Sequence, residues 1–168
     1  MIKVVDNFLE EEEYKNLYDT VMGSYFPWYT GKILDEFPFT NEKHNLQMSH
    51  SLYMNSVPQS NHFELLNYFV PKLKIAAWFT SKFNLNFCYS KTVEHGYHCD
   101  NNNIHCMTAV YYVNTNDGYT KFETGEKIES VANRIVIFPS TTMHTGTTCT
   151  DTDRRVVLNM NYFPATID

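Results

Sequence analysis

From Leu85 onward the chain divides into short apolar, β-branched and aromatic segments punctuated by Gly, Asn, Asp and Thr. This rhythm restricts the fold more than any other feature of the sequence. The segments are Leu85–Lys91, Gly96–Asp100, Met107–Asn114, Thr120–Glu123, Glu126–Val131, Arg134–Phe138, Met143–Thr147 and Arg155–Phe163. The intervals between them are too short for the crossover that joins parallel strands. Strands so short and so closely spaced build a sandwich or a jelly roll.

The front half reads differently. A short strand Lys3–Val5 is followed by Asp6 or Asn7 as a cap, then by a helix starting near Leu9 with Glu10 to Glu13 at the positive end of its dipole. Tyr14, Leu17, Tyr18, Val21 and Met22 recur at helical spacing and form its buried stripe. Residues 23–43 lack periodicity and carry Phe26, Pro27, Trp28, Tyr29, Phe37, Pro38 and Phe39, as expected of a flap over a site or a loop packed on the core. A strand over Leu46–Asn55 comes next. The stretch Asn61–Phe83 reads as helical with a break at Pro71. No repeat and no Pro/Gly-rich linker separates the halves, so the expectation is one domain over 1–168. In it, 1–84 forms a helical support region with a flap-like loop 23–43, and 85–163 forms the β core.

Within that core, His98 and Asp100 stand two residues apart, so in a strand both side chains leave the same face. His144 closes the run Phe138-Pro139-Ser140-Thr141-Thr142-Met143-His144. Two imidazoles and a carboxylate can cap one face of an octahedral Fe(II) and leave positions open for a co-substrate and oxygen. Cys99 points away in such a strand. His105 follows Asn101-Asn102-Asn103, a turn sequence, and His44, His50, His62 and His95 have no ligand spacing.

The ordered set of segments resembles the Fe(II)- and 2-oxoglutarate-dependent dioxygenases, in particular their prolyl 4-hydroxylase-like branch. It consists of Cys88-Tyr89, His98-Cys99-Asp100-Asn101, Thr108 to Asn114, Gly118 to Phe122, Asn133 to Phe138, His144-Thr145-Gly146 and Arg155 to Asn159. The resemblance spans roughly Leu85 to Phe163. It implies an α+β fold, a double-stranded β-helix (jelly roll) with N-terminal buttressing helices. It also implies an enzyme in which His98, Asp100 and His144 are catalytic iron ligands. Fe(II), the co-substrate 2-oxoglutarate and O2 would act together to hydroxylate an aliphatic C–H bond, with release of succinate and CO2.

The far carboxylate of 2-oxoglutarate calls for a fixed cation, which a guanidinium fork supplies well. Arg155 shares a strand face with Val157, Asn159 and Asn161, the polar side of a ligand-holding interior. Arg154 shares its face with Val156, Leu158, Met160 and Tyr162 and is the fallback. By the same resemblance Tyr112 hydrogen-bonds that carboxylate and Tyr89 lines the pocket near the metal. The segment Lys91 to Tyr97 and the Asp117-Gly118-Tyr119 triplet depart from the prolyl hydroxylase pattern. The substrate is therefore expected to be a prolyl or other amino-acid unit, as a small molecule or peptide.

Two other readings share the fold: a non-catalytic metal-binding jelly roll, and a cupin-like protein using Zn(II). A nucleic-acid demethylating oxygenase is the remaining alternative. The formal net charge of -6 argues against nucleic acid as the main partner, and no second arginine follows Arg155 in the demethylase spacing. Four cysteines without C-x-x-C pairing, and no signal peptide or long apolar span, predict reduced thiols in the cytoplasm.

Overall fold

The computed structural model describes residues 1–33 and 45–165. Its strands are β1 (Lys3–Val5), β2 (Tyr29–Lys32), β3 (Leu46–Met54), β4 (Val57–Pro58), β5 (Ile75–Phe87), β6 (Met107–Tyr112), β7 (Tyr119–Phe122), β8 (Lys127–Glu129), β9 (Arg134–Pro139), β10 (His144–Gly146) and β11 (Arg154–Pro164). Helix α1 covers Glu11–Met22, a 3-10 helix Asn61–Tyr68, and α2 Val70–Leu73. An eight-stranded sheet runs β1-β9-β6-β11-β5-β3-β2, with β4 on the edge of β3, and a three-stranded sheet runs β10-β7-β8. Every pairing within the two sheets is antiparallel. This is the jelly-roll arrangement, with a large sheet facing a small one.

The helices lie against the outer face of the large sheet. Leu17 and Val21 of α1, Leu65, Leu66 and Phe69 pack with Val156, Leu158 and Met160 of β11 and with Ala109 and Tyr111 of β6 in one buried cluster. Their burial supplies most of the apolar area that holds the helical layer in place. A second cluster of Val110, Tyr112, Phe122, Ile128, Val136, Phe138 and Val157 fills the space between the two sheets.

Three front-half expectations need correction. The cap of α1 is Glu10, whose N–H donates to the Glu13 carboxylate at 3.1 Å. Asp6 instead pairs with Arg134, and Asn7 takes a left-handed φ of 50°. The helical reading of 61–83 holds only to Leu73. Lys74 then turns left-handed at φ 51°, and Ile75–Phe87 is strand, paired to β11 on one side and β3 on the other. The β11 ladder along β5, joined by β3 over Ser81–Leu85, overrides a weak helical periodicity. The region 1–84 is accordingly not a helical support alone, since β1, β2, β3 and most of β5 extend the large sheet. Finally, residues 29–32 of the expected flap form strand β2, while 34–43 lie outside the described residues.

Candidate metal and co-substrate site

The segment 93–100 is not a regular strand, yet it is tied to the small sheet at each step. Thr148 N–H donates to the Val93 carbonyl, His95 N–H to Gly146, and His98 and His144 exchange both backbone bonds at 2.9 Å. Asp100 N–H continues to the Ser140 carbonyl at 3.0 Å. This register puts the two histidines side by side, with ring centroids 4.7 Å apart. One ligating atom from each of His98, Asp100 and His144 lies within 4.8 Å of the other two.

Backbone carbonyls set the direction of both rings. The Nδ1–H of His144 donates to the Thr142 carbonyl at 2.9 Å, and that of His98 to Gly96 at 3.3 Å. The carbonyls can only accept, so in the neutral ring the lone pair is on Nε2. Those Nε2 atoms face Asp100 Oδ1 at 3.6 and 3.8 Å. The other carboxylate oxygen, Oδ2, accepts from Thr108 Oγ1 at 2.9 Å and from Asn159 Nδ2 at 3.3 Å.

The titration behaviour of the triad suits a cation. Burial works to raise the Asp100 carboxyl, but the His98 hydrogen bond and the two imidazoles hold it down at about 2. Burial pulls His144 below the ordinary histidine value despite Asp100. For His98 the carboxylate outweighs burial and the shift is upward. The ionised carboxylate and the lowered His144 are in the states a divalent metal requires, while His98 would exchange its Nε2 proton for the metal.

The cavity next to the triad ends at Arg155, which is 2% exposed. Its Nε donates to Ser130 Oγ at 2.8 Å and its Nη2 to Thr120 Oγ1 at 3.5 Å. Among the described residues no carboxylate pairs with it, and burial lowers its pKa from the usual arginine value. A buried guanidinium without an acid is costly by itself. A carboxylate entering the cavity would satisfy it, and the residues therefore fit both the metal and a dicarboxylate. Space for the arginine depends on Gly118, where an added Cβ would come within 2.6 Å of Arg155 Cδ.

Strand parity separates the two arginines as expected from the sequence. Arg154 lies on the other face and its Nη2 donates to the Met22 carbonyl at 3.0 Å, at the end of α1. Tyr112 is fully buried behind the cavity wall, where its hydroxyl donates to Thr120 Oγ1 at 2.8 Å and its ring lies 5.6 Å from the Arg155 guanidinium carbon. Tyr89 is not part of the cavity lining; its N–H donates to the Cys149 carbonyl at 3.0 Å. Cys99 contacts Asn102, and His105 is exposed in a turn held by Asn101 and Asn103.

Several lining residues escaped the sequence reading. Gln47 of β3, Lys82, Asn84 and Asn86 of β5, Thr120 and His95 all border the cavity. The polar alternation Lys82-Asn84-Asn86 could have shown the β5 set, but the boundary expected between helix and strand at Phe83/Leu85 cut across it.

The sequence model of the 2OG-Fe(II) oxygenase superfamily matches residues 84–163, which holds every one of the triad and arginine positions. This stretch belongs to that superfamily. The oxygenase domain uses Fe(II), 2-oxoglutarate and O2, as its family does. No curated protein matches the sequence. Among solved structures, a Pseudomonas putida prolyl-4-hydroxylase aligns at 14% identity and TM-score 0.63, covering 96% of this chain and 92% of that one. A Trichoplax adhaerens prolyl hydroxylase, solved with a peptide of the hypoxia inducible factor oxygen degradation domain, aligns at 15% identity and TM-score 0.69, with coverages of 96% and 83%. The epimerase SnoN, in complex with Fe3+, alpha ketoglutarate and nogalamycin RO, aligns at 12% identity and TM-score 0.68, covering 98% and 79%. At these identities the likeness is one of fold. Among the described residues no helix is long and apolar enough to cross a membrane.

Proposed function

We propose that His98, Asp100 and His144 hold the Fe(II) of this oxygenase and that Arg155 holds the distal carboxylate of 2-oxoglutarate. The enzyme then hydroxylates an aliphatic C–H bond of a small-molecule or peptide substrate, an amino-acid unit being the class its prolyl hydroxylase neighbours suggest. The observation that carries this reading is the pairing, in one cavity, of a three-ligand cluster with a buried guanidinium that has no acid partner among the described residues. When bound, iron and 2-oxoglutarate would supply the activation of O2, one oxygen atom ending in the substrate hydroxyl and the other in the succinate formed as the keto acid loses CO2.

The protein's own contribution is orientation. Thr108 and Asn159 occupy Asp100 Oδ2, which leaves Oδ1 for the metal. Ser130 and Thr120 fix the guanidinium plane, and Tyr112 holds Thr120 from behind, so its part is indirect. Val110 and Val157 add apolar side chains to the cavity lining. Since β1, β2 and β3 complete the same sheet as the family-matched strands, we read the chain as one domain. All four cysteines are free thiols, which supports a reducing, cytoplasmic setting.

The test is an anaerobic titration with Fe(II) and then 2-oxoglutarate, followed by the visible charge-transfer band of a chelated keto acid. A saturable band is expected, and His98→Ala or Asp100→Ala should abolish it together with iron binding. Stoichiometric Fe(II) uptake by either variant would overturn the ligand assignment.

A further inference from the structure

The cavity's charges single out one residue that the iron and co-substrate leave unused. Among the described residues, and apart from histidines, its ionisable lining groups are Arg155, Asp100 and Lys82. Fe(II) and dianionic 2-oxoglutarate cancel each other, and Arg155 and Asp100 also balance. With the histidines neutral, one positive charge remains among the described lining residues of the loaded cavity, that of Lys82. This surplus stands out in a chain whose formal net charge is -6.

Its position is set by β5. Lys82 stands opposite Asn159 of β11, the residue that holds Asp100, and opposite Ser51 of β3. Lys82 is exposed at the cavity mouth and forms no ion pair among the described residues. Two residues along the same face, Asn84 also lines the cavity, and its Oδ1 is buried with no hydrogen-bond partner. A buried amide oxygen without a donor is costly unless a ligand supplies one. Same-face neighbours on a strand are roughly 6.6 Å apart, and the flexible lysine stem closes the gap to a single small ligand.

We propose that the substrate is a monocarboxylate with a neutral N–H close to the acid group, its carboxylate on Lys82 Nζ and its N–H on Asn84 Oδ1. This rests on the site reading above. The single surplus charge selects a carboxylate over a doubly charged phosphate. The unpartnered amide oxygen selects a molecule that brings a donor. An N-acylated amino acid, or the C-terminal residue of a peptide, has both groups at the required separation.

The experiment is a calorimetric titration of protein loaded with 2-oxoglutarate and Mn(II) in place of iron, in the absence of oxygen. The probes are N-acetyl-L-amino acids and the same compounds as C-terminal amides. At least one free acid should bind, and its amide should bind at least tenfold more weakly. Lys82→Gln should erase that difference, while Asn84→Ala should weaken acid and amide alike. The amides of N-acetyl-aspartate and N-acetyl-glutamate keep a side-chain carboxylate, so tight binding by these would make a side-chain acid the source of the anion. Equal binding of acid and amide, an acid preference that survives Lys82→Gln, or no bound acid in protein that takes up 2-oxoglutarate normally would each overturn the inference. Failure to take up 2-oxoglutarate at all would remove the site reading beneath it.

Discussion

Strand β11 shows two faces that the same backbone assigns to different tasks. On one face Val156, Leu158, Met160 and Tyr162 are buried in the cluster shared with α1. On the other, Arg155, Val157 and Asn159 line the cavity and Asn161 joins the hydrogen bonds behind Asp100. The apolar face works through area, a quantity shared among many neighbours. The cavity face works through single atoms at fixed distances. Loss on the first should therefore appear in stability and loss on the second in ligand affinity, with little exchange between them.

The largest separation is expected for Arg155→Ala. Removing a buried cation that meets a carboxylate costs roughly 2–5 kcal/mol of ligand affinity, which a 2-oxoglutarate titration measures directly. The ligand-free variant should melt within a few degrees of the parent, because no acid partner is stranded. A collapse in melting temperature would mean the two faces are not independent. Leu158→Ala is the converse case. Truncating a fully buried leucine costs about 2–5 kcal/mol of stability, read by urea unfolding, while the folded fraction should bind 2-oxoglutarate as before. The smallest effect belongs to Arg154→Ala. It removes a cation from the carbonyl end of α1, worth roughly 0.3–1 kcal/mol of stability, and it should leave the 2-oxoglutarate isotherm unchanged. A weaker isotherm there, with Arg155→Ala silent, would reverse the assignment of the faces.

The positions most readable from sequence share one property: each depends on parity within a few residues. His98 and Asp100 fall on one face, Cys99 on the other, and Arg154 and Arg155 separate by the same rule. Positions that depend on depth or on distant partners were not readable. The resemblance put Tyr112 on the co-substrate carboxylate, but nothing local showed its depth behind the cavity wall, where Thr120 takes its hydroxyl. Ile75-Ala76-Ala77-Trp78 suits a helix as well as a strand taken alone. Its state follows from pairing with Tyr162, Phe163 and Pro164 of β11, and the helical reading that ran on from it to Phe83 hid Lys82.

By itself, the sequence determined a jelly roll of short antiparallel strands, a His-x-Asp pair, a distant third histidine and an arginine of the right parity. All of these arise from the two-residue period of an extended chain and the chemistry of the side chains it presents. Only the tertiary structure decided which strands flank which, how far each polar atom lies from the cavity, and which buried groups are left without a partner. Those depend on contacts between segments remote in sequence. They are chosen by burying the most apolar area while pairing every backbone polar group, a balance no local window contains.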